Sequence, residues 1–316
     1  MFNQKNILSL NNEEKIKDLP SLRREFDLNR LNERVTKRGD VEEISKKLKI
    51  NRTVLSRGLY ENRILSIFPD LNKSKVVSMS TIWLERELKV FSGIYDIQRL
   101  STRKLYKKVK EWRRRLKLNP RLLLTDSQHD LIIGSILGDG YVRKRDKNCN
   151  FRVGHSDKQK EYLLWKYMTL KEFTSSEPKF SLRRFKENKS IKTLELSTFT
   201  HPVFSYYRRL FYPNEKKIVS RKILNLLTPR SLAYWVCDDG SYNNRQGYIV
   251  LCTNSYNLEE HEIMRKYFQE VWDLDPTIGF RDGKYYYLRF KQEDSKRLIS
   301  IIKQFIPEGI EYKIGK

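Results

Sequence analysis

The chain has 316 residues, 39% hydrophobic and 33% charged, which is enough apolar material for packed cores and excludes a wholly disordered polymer. Its 64 Lys and Arg against 39 Asp and Glu leave a net charge of +25. So basic a chain points to a polyanion partner, nucleic acid ahead of an anionic membrane surface. No segment is long and apolar enough to span a bilayer, so no membrane role is expected.

The N-terminal stretch "MFNQKNILSLNNEEKIKDLP" has no signal-peptide core and carries acids, unlike a transit sequence. Residues 1–120 read as a basic helical region. Within it "RGDVEEISKKLKINRTVLSRGLYENRI" (38–64) has helix-turn-helix spacing. Asp40 is the expected cap, with Glu43 completing a capping box. Ile44 and Leu48 form one apolar stripe, Ile50 sits in the turn, Leu55 opens the second stripe, and Ser45 is small where the helices would cross. Asn51, Arg52, Thr53, Ser56 and Arg57 would then face outward, side-chain types that contact DNA. Lys49 stands where such a turn often has glycine, and a plain helical hairpin with a basic face fits the same pattern. "LSTRKLYKKVKEWRRRLKLNPR" (100–121) is a basic amphipathic helix with Leu105, Val109 and Trp112 on one side, ended by Pro120. It reads as a DNA-backbone clamp, a linker helix, or a solvated face.

After residue 120 the texture repeats. Helix Asp126–Asp139, hairpin Tyr141–His155, helix Lys158–Phe173, hairpin Lys179–Phe199 and helix His201–Phe211 form one pass. Helix Pro229–Asp239, hairpin Ser241–Thr253, helix Leu258–Trp272, hairpin Thr277–Phe290 and helix Glu293–Phe305 form the second. The fold class is therefore α+β, with an internal αββαββα repeat and two lobes about a pseudo-twofold axis, residues 121–227 and 228–316. In "GKYYYLRFK", Tyr286, Leu288 and Phe290 suit a core. Tyr285, Tyr287, Arg289 and Lys291 lie on the other face, where base edges and phosphates would be met. Arg143, Arg145 and Arg152 alternate with apolar residues in the same way in the first lobe. Asp282-Gly283 is the expected hairpin turn.

The chemistry sits at two helix ends, in "LIIGSILGDG" (131–140) and "SLAYWVCDDG" (231–240). Thr228 and Pro229 mark the start of the second helix. In each run the helix is expected to end on the aspartate before the final glycine, at the negative end of a helix dipole, an unfavourable place for a carboxylate. Gly134, Ser135 and Gly138 would let another backbone approach. If the two helices pack together, Asp139 and Asp239 lie side by side and repel each other unless a cation intervenes. Hard oxygen ligands suit Mg²⁺, and two carboxylates, a divalent cation and a DNA backbone suggest phosphodiester hydrolysis. The histidines His129, His155, His201 and His261 are scattered in sequence, so His-based metal chemistry is not expected. Cys149, Cys237 and Cys252 have no paired spacing, which argues for a reducing compartment and against a disulfide or CxxC framework.

The two runs resemble the twin motifs of the double-motif LAGLIDADG homing endonucleases, with copies at Ile132–Gly140 and Leu232–Gly240. "LTPRSLAYWVCDDGSY" is similar to the second motif of the monomeric, intron-encoded branch. The resemblance covers about Asp126 to Lys316; Leu137, Cys237 and Tyr234 depart from the nine-letter pattern. It implies two LAGLIDADG lobes with saddle-shaped antiparallel sheets in the major groove of a long double-stranded DNA target. It also implies a monomeric Mg²⁺-dependent endonuclease, with Mn²⁺ as a substitute, that leaves 3′ overhangs and promotes mobility of an intron or intervening sequence. Asp139 and Asp239 would be the catalytic metal-binding pair, with Gly138 and Asp238 beside them in the metal site. Lys217 (Lys216 as fallback) and Lys313 would be the basic residues near the metals. Arg152 and Asn254 look like the polar strand residues beside the active site. Alternatives of other classes are an intron-RNA maturase and a non-cleaving transcription regulator on the same scaffold. A bacterial cytoplasm or nucleoid, or an organelle matrix, is the expected setting.

Overall fold

The computed structural model describes residues 38–48, 50, 52–79, 84–184 and 190–316. The chain divides into two units, Met1–Arg115 with Ser175–Glu177, and Leu116–Thr174 with Pro178–Lys316. The described part of the first unit holds α1 (Arg38–Lys47), α2 (Arg52–Ile67), α3 (Lys73–Ser78), α4 (Glu85–Ile94) and most of α5 (Thr102–Leu118). No strand occurs among its described residues. Ile50, Leu55 and Leu59 are buried together, with Val41, Ile44, Leu48 and Val54 packed against them. Ser45 closes this corner: its Oγ donates to the Ile50 carbonyl at 2.7 Å and its carbonyl accepts from Ile50 N at 3.0 Å.

Asp40 lies inside α1, which begins two residues earlier, so it is not the N-cap the sequence suggested. Glu43 pairs with Lys47 one turn on, at 2.8 Å. Arg52 and Arg57 are exposed on α2, Arg57 donating to Glu61 at 2.9 Å. Lys49 and Asn51 lie outside the described residues. On α5 the stripe Leu105, Val109, Trp112 and Leu116 is buried, and the Trp112 indole donates to buried Glu87 at 2.9 Å. Arg103, Lys104, Lys107, Lys110 and Arg114 are exposed.

The second unit repeats itself. Its first pass is α6 (Asp126–Leu137), β1 (Tyr141–Arg145), β2 (Asn148–Ser156), α7 (Lys160–Leu170), β3 (Lys179–Arg184), β4 (Ser190–Ser197) and α8 (Phe204–Phe211). The short α9 (Arg221–Leu224) connects to the second pass. That pass is α10 (Pro229–Asp239), β5 (Gly240–Asn243), β6 (Tyr248–Leu251), α11 (Leu258–Trp272), β7 (Thr277–Arg281), β8 (Tyr285–Phe290) and α12 (Gln292–Ile302). The two antiparallel sheets have the same order, β1-β2-β4-β3 and β5-β6-β8-β7. Period-two alternation decides which face is buried. Cys149, Phe151, Val153 and His155 of β2 point to the core, as do Ile249 and Leu251 of β6 and Leu288 and Phe290 of β8. Asp282 and Gly283 both have positive φ, 56° and 63°, and Lys284 N closes the turn on Arg281 O at 3.1 Å. That is the type I′ geometry which matches strand twist.

Two caps start the central helices. Thr125 and Gln128 form a capping box on α6, and Thr228 and Ser231 form one on α10 with Pro229 at the first helical position. α6 and α10 then pack backbone to backbone. A Cβ on Gly134 would collide with the Ser231 carbonyl oxygen and stand 2.9 Å from Tyr234 Cβ. A Cβ on Gly138 would stand 2.5 Å from Asp238 Cβ. The small residues of "LIIGSILG" are therefore the contact face. α6 stops at Leu137, two residues short of the extent the pattern suggested. Gly138 leaves helical geometry at φ −92°, ψ −124°, which places Asp139 in the turn that follows.

Candidate metal and nucleic-acid site

The ends of α6 and α10 deliver Asp139 and Asp239 to one place. Asp139 carries a half-exposed side chain, whereas Asp239 is largely enclosed. The enclosure matters electrically. Burial, followed by the charges of Asp139 and Asp238, pushes the Asp239 carboxyl up to about 8, against the pull of Lys217. Asp139 goes the other way. Burial works to raise it, but the contact with His155 and the charges of His155, Lys166 and Lys313 outweigh that and hold it below the ordinary carboxylate range. The charge of Asp139 acting on the enclosed Asp239 marks an electronegative centre that a divalent cation would relieve.

A lysine closes the C-terminus of each motif helix. Lys217 donates to the carbonyls of Gly138 at 2.9 Å and Leu137 at 3.4 Å. Lys313 donates to those of Gly240 at 2.8 Å and Asp238 at 3.3 Å. An ammonium on the last carbonyls answers the negative end of each helix dipole. It also brings a positive charge beside each aspartate. Burial draws the Lys217 pKa down, with Asp239, Asp139 and Asp238 opposing. Lys216 is exposed to solvent. Gly138 offers its carbonyl to Lys217, and Asp238 turns inward, its side chain fully buried.

Three residues of this site carry no signal in a linear motif. Lys166 of α7, fully buried, reaches Asp238 Oδ1 at 2.6 Å, and Tyr162 OH donates to the same oxygen at 2.9 Å. The carboxylate arriving from α10 is thus neutralised from the first lobe. His155, 3% exposed, lies between the two acids, Nδ1 3.3 Å from Asp139 Oδ2 and Nε2 3.8 Å from Asp238 Oδ1. The histidines are scattered in sequence, yet the fold sets His155 beside both acids. His155 ends the inward row of β2, a polar residue in an otherwise apolar alternation, and that was the available clue. Tyr162 and Lys166 sit one helical turn apart on a face that must be buried. Tyr256 adds a hydrogen bond from its hydroxyl to the Leu137 carbonyl at 3.0 Å.

The sheet faces away from the core carry the remaining candidates. Arg143 and Arg145 are exposed on β1. Arg152 pairs with Glu195 at 2.8 Å and lies over the Tyr141 ring at 5.8 Å. In the second sheet Arg289 stacks on Tyr248 at 4.1 Å, Lys284 lies over Tyr285, and the Tyr287 ring covers Gly279 across the ladder. Lys291 is exposed at the start of α12. Asn254 follows β6, partly buried, with an Oδ1 that has no hydrogen-bond partner. Basic and aromatic side chains in alternation suit phosphates and base edges. Arg52 and Arg57 belong to the first unit and stand apart from this description.

The sequence profile of the LAGLIDADG DNA endonuclease family matches residues 129–298. The DNA endonuclease I-ChuI of Chlamydomonas applanata is 29% identical over 210 residues, 61% of this chain and 96% of that protein. The cytochrome b mRNA maturase bI2 of Debaryomyces hansenii is 26% identical over 192 residues, 59% of this chain and 72% of that protein. Among solved structures, the homing endonuclease I-WcaI bound to its DNA recognition sequence superposes with a TM-score of 0.57 at 25% identity. The match covers 66% of this chain and 92% of that one.

Proposed function

The chain belongs to the LAGLIDADG DNA endonuclease family, and on that premise we propose that it is a site-specific homing endonuclease that cuts both strands of double-stranded DNA and leaves 3′ overhangs. The reading is carried by one observation: two motif helices paired backbone to backbone present Asp139 and Asp239 together, each helix end closed by a lysine. The donor set fits a divalent cation. The Asp239 carboxylate is destabilised by burial and by the charge of Asp139, and Asp238 Oδ2 is buried without a hydrogen-bond partner beside them. Asp139 and Asp239 would hold the cations, Mg²⁺ or Mn²⁺, which supply a water nucleophile and stabilise the leaving oxygen. Lys217 and Lys313 keep the carbonyls of the helix ends in place and set positive charge beside each aspartate, where phosphate charge grows during cleavage. Arg143, Arg145, Arg152, Asn254, Tyr285, Tyr287, Arg289 and Lys291, on the sheets and just beyond their strands, would position and read the duplex, with Arg52 and Arg57 contacting flanking DNA.

The test is incubation of the protein and Mg²⁺ with DNA spanning the uninterrupted insertion site of its own gene. Linearisation is expected, with a loss of at least about 10³-fold in Asp139→Asn or Asp239→Asn. The similarity to the maturase bI2 supports a second reading, assistance to splicing of an intron RNA. No cleavage with either metal, alongside tight binding of that RNA, would replace the first reading with the second.

A further inference from the structure

We propose that His155 is a metal ligand: its Nδ1 completes, with Asp139, the cation position of the first lobe, and Asp238 stands behind the ring as the carboxylate that orients it. The inference rests on the endonuclease reading and specifies one of its two metal positions. The geometry carries it. His155 is buried, yet neither ring nitrogen makes a well-formed hydrogen bond. A buried imidazole whose only polar neighbours are carboxylates at 3.3 and 3.8 Å keeps a ring nitrogen available to a further partner. Asp139, His155 and Asp238 each bring one ligand atom within 4.8 Å of the others. The 3.3 Å between His155 Nδ1 and Asp139 Oδ2 is the separation of two donors sharing one cation at about 2.1 Å. Nε2 faces Asp238 Oδ1 at 3.8 Å on the opposite edge of the ring. Carboxylate, imidazole and metal in that order form the arrangement that fixes the tautomer and orientation of a ligating histidine.

Charge agrees. Lys166 and Tyr162 hold Asp238 Oδ1, so that carboxylate is already balanced and serves as a fixed acceptor. The charge of Asp139 remains for the cation. No counterpart exists in the second lobe: the matching inward position is Thr253, whose hydroxyl pairs with His261 at 2.7 Å. One lobe therefore sets an imidazole nitrogen beside its aspartate, and the other a hydroxyl at the matching position. A nitrogen ligand favours later first-row divalent ions over Mg²⁺.

Mn²⁺ added alone to the full-length protein is the probe. Pulsed electron paramagnetic resonance should show nitrogen-14 modulation from a directly bound imidazole. Labelling the protein with nitrogen-15 histidine should remove that modulation without any substitution. His155→Gln should remove it too, and should reduce a preference for Mn²⁺ over Mg²⁺ of at least about tenfold in calorimetric titration. Mn²⁺ that binds through Asp139, as judged by its loss in Asp139→Asn, but shows no nitrogen coupling overturns the proposal and leaves the endonuclease reading intact. Absence of Mn²⁺ binding overturns both.

Discussion

Asp239 illustrates what a single residue stores. Its carboxyl is pushed up to about 8, first by burial and then by the charges of Asp139 and Asp238. The sign of the consequence is fixed by linkage. A carboxyl whose folded pKa exceeds its unfolded value keeps a proton that the unfolded chain has released. The stability it confers is full below the ordinary carboxylate range and is lost as pH rises through about 8. The unfolding free energy in EDTA should therefore fall between pH 5 and pH 9, by an amount on the order of a few kcal/mol, and the thermal midpoint with it. Asp239→Asn should flatten that slope. Divalent cation should bind more tightly as pH rises, because it needs the deprotonated carboxylate, and should offset the loss. A flat profile in EDTA would mean that Asp139 and Asp238 do not act on Asp239 in this way. The residues of this centre were unequally legible. Asp139 and Asp239 recur in matching sequence positions, and the repeat gives them away. His155, Tyr162 and Lys166 act through partners 16 to 83 positions distant, and no spacing in the chain announces such a partner.

At the scale of elements, the pairing of α6 with α10 decides whether the two aspartates meet at all. Gly134 sits where the Ser231 carbonyl and Tyr234 Cβ leave no room for a methyl group. Backbone on the far side cannot swing away as a side chain could. Gly134→Ala should cost about 1–3 kcal/mol by overpacking, although alanine is the better helix former by about 1 kcal/mol. Urea denaturation would measure it, and a stabilised variant would mean that the helices are not in contact there. The glycines made this contact readable from sequence, as strict alternation did for the sheet faces, because both depend on local geometry. Helix limits were less readable. α6 ends at Leu137 and α8 begins at Phe204, after a bridge between Cys149 and His201 has taken up the residues where the helix was expected to start. Such a long-range pairing overrides local propensity.

For the whole molecule the deciding quantity is how the net charge of +25 is used. Residues 1–115 carry roughly half of it, so the excess is not confined to the two-lobed unit that holds the aspartates. Its densest run is α5, where Arg103, Lys104, Lys107, Lys110 and Arg114 are exposed around a buried stripe of Leu105, Val109, Trp112 and Leu116. Two uses of that face are physically distinct. A phosphate clamp releases counterions, and each neutralised phosphate adds about 0.9 to the slope of log affinity against log salt. A solvated face adds nothing. Changing Lys104, Lys107 and Lys110 together to glutamine leaves the buried stripe untouched. If the helix tracks the DNA backbone, the salt slope for target DNA should become shallower by about 2–3, with the loss similar on unrelated sequences, because phosphate contacts carry no base information. Cleavage at saturating protein and low salt should persist, since none of these side chains belongs to the aspartate centre. A slope unchanged by the triple substitution would assign α5 to solvent and leave the DNA contacts to the sheets of the second unit.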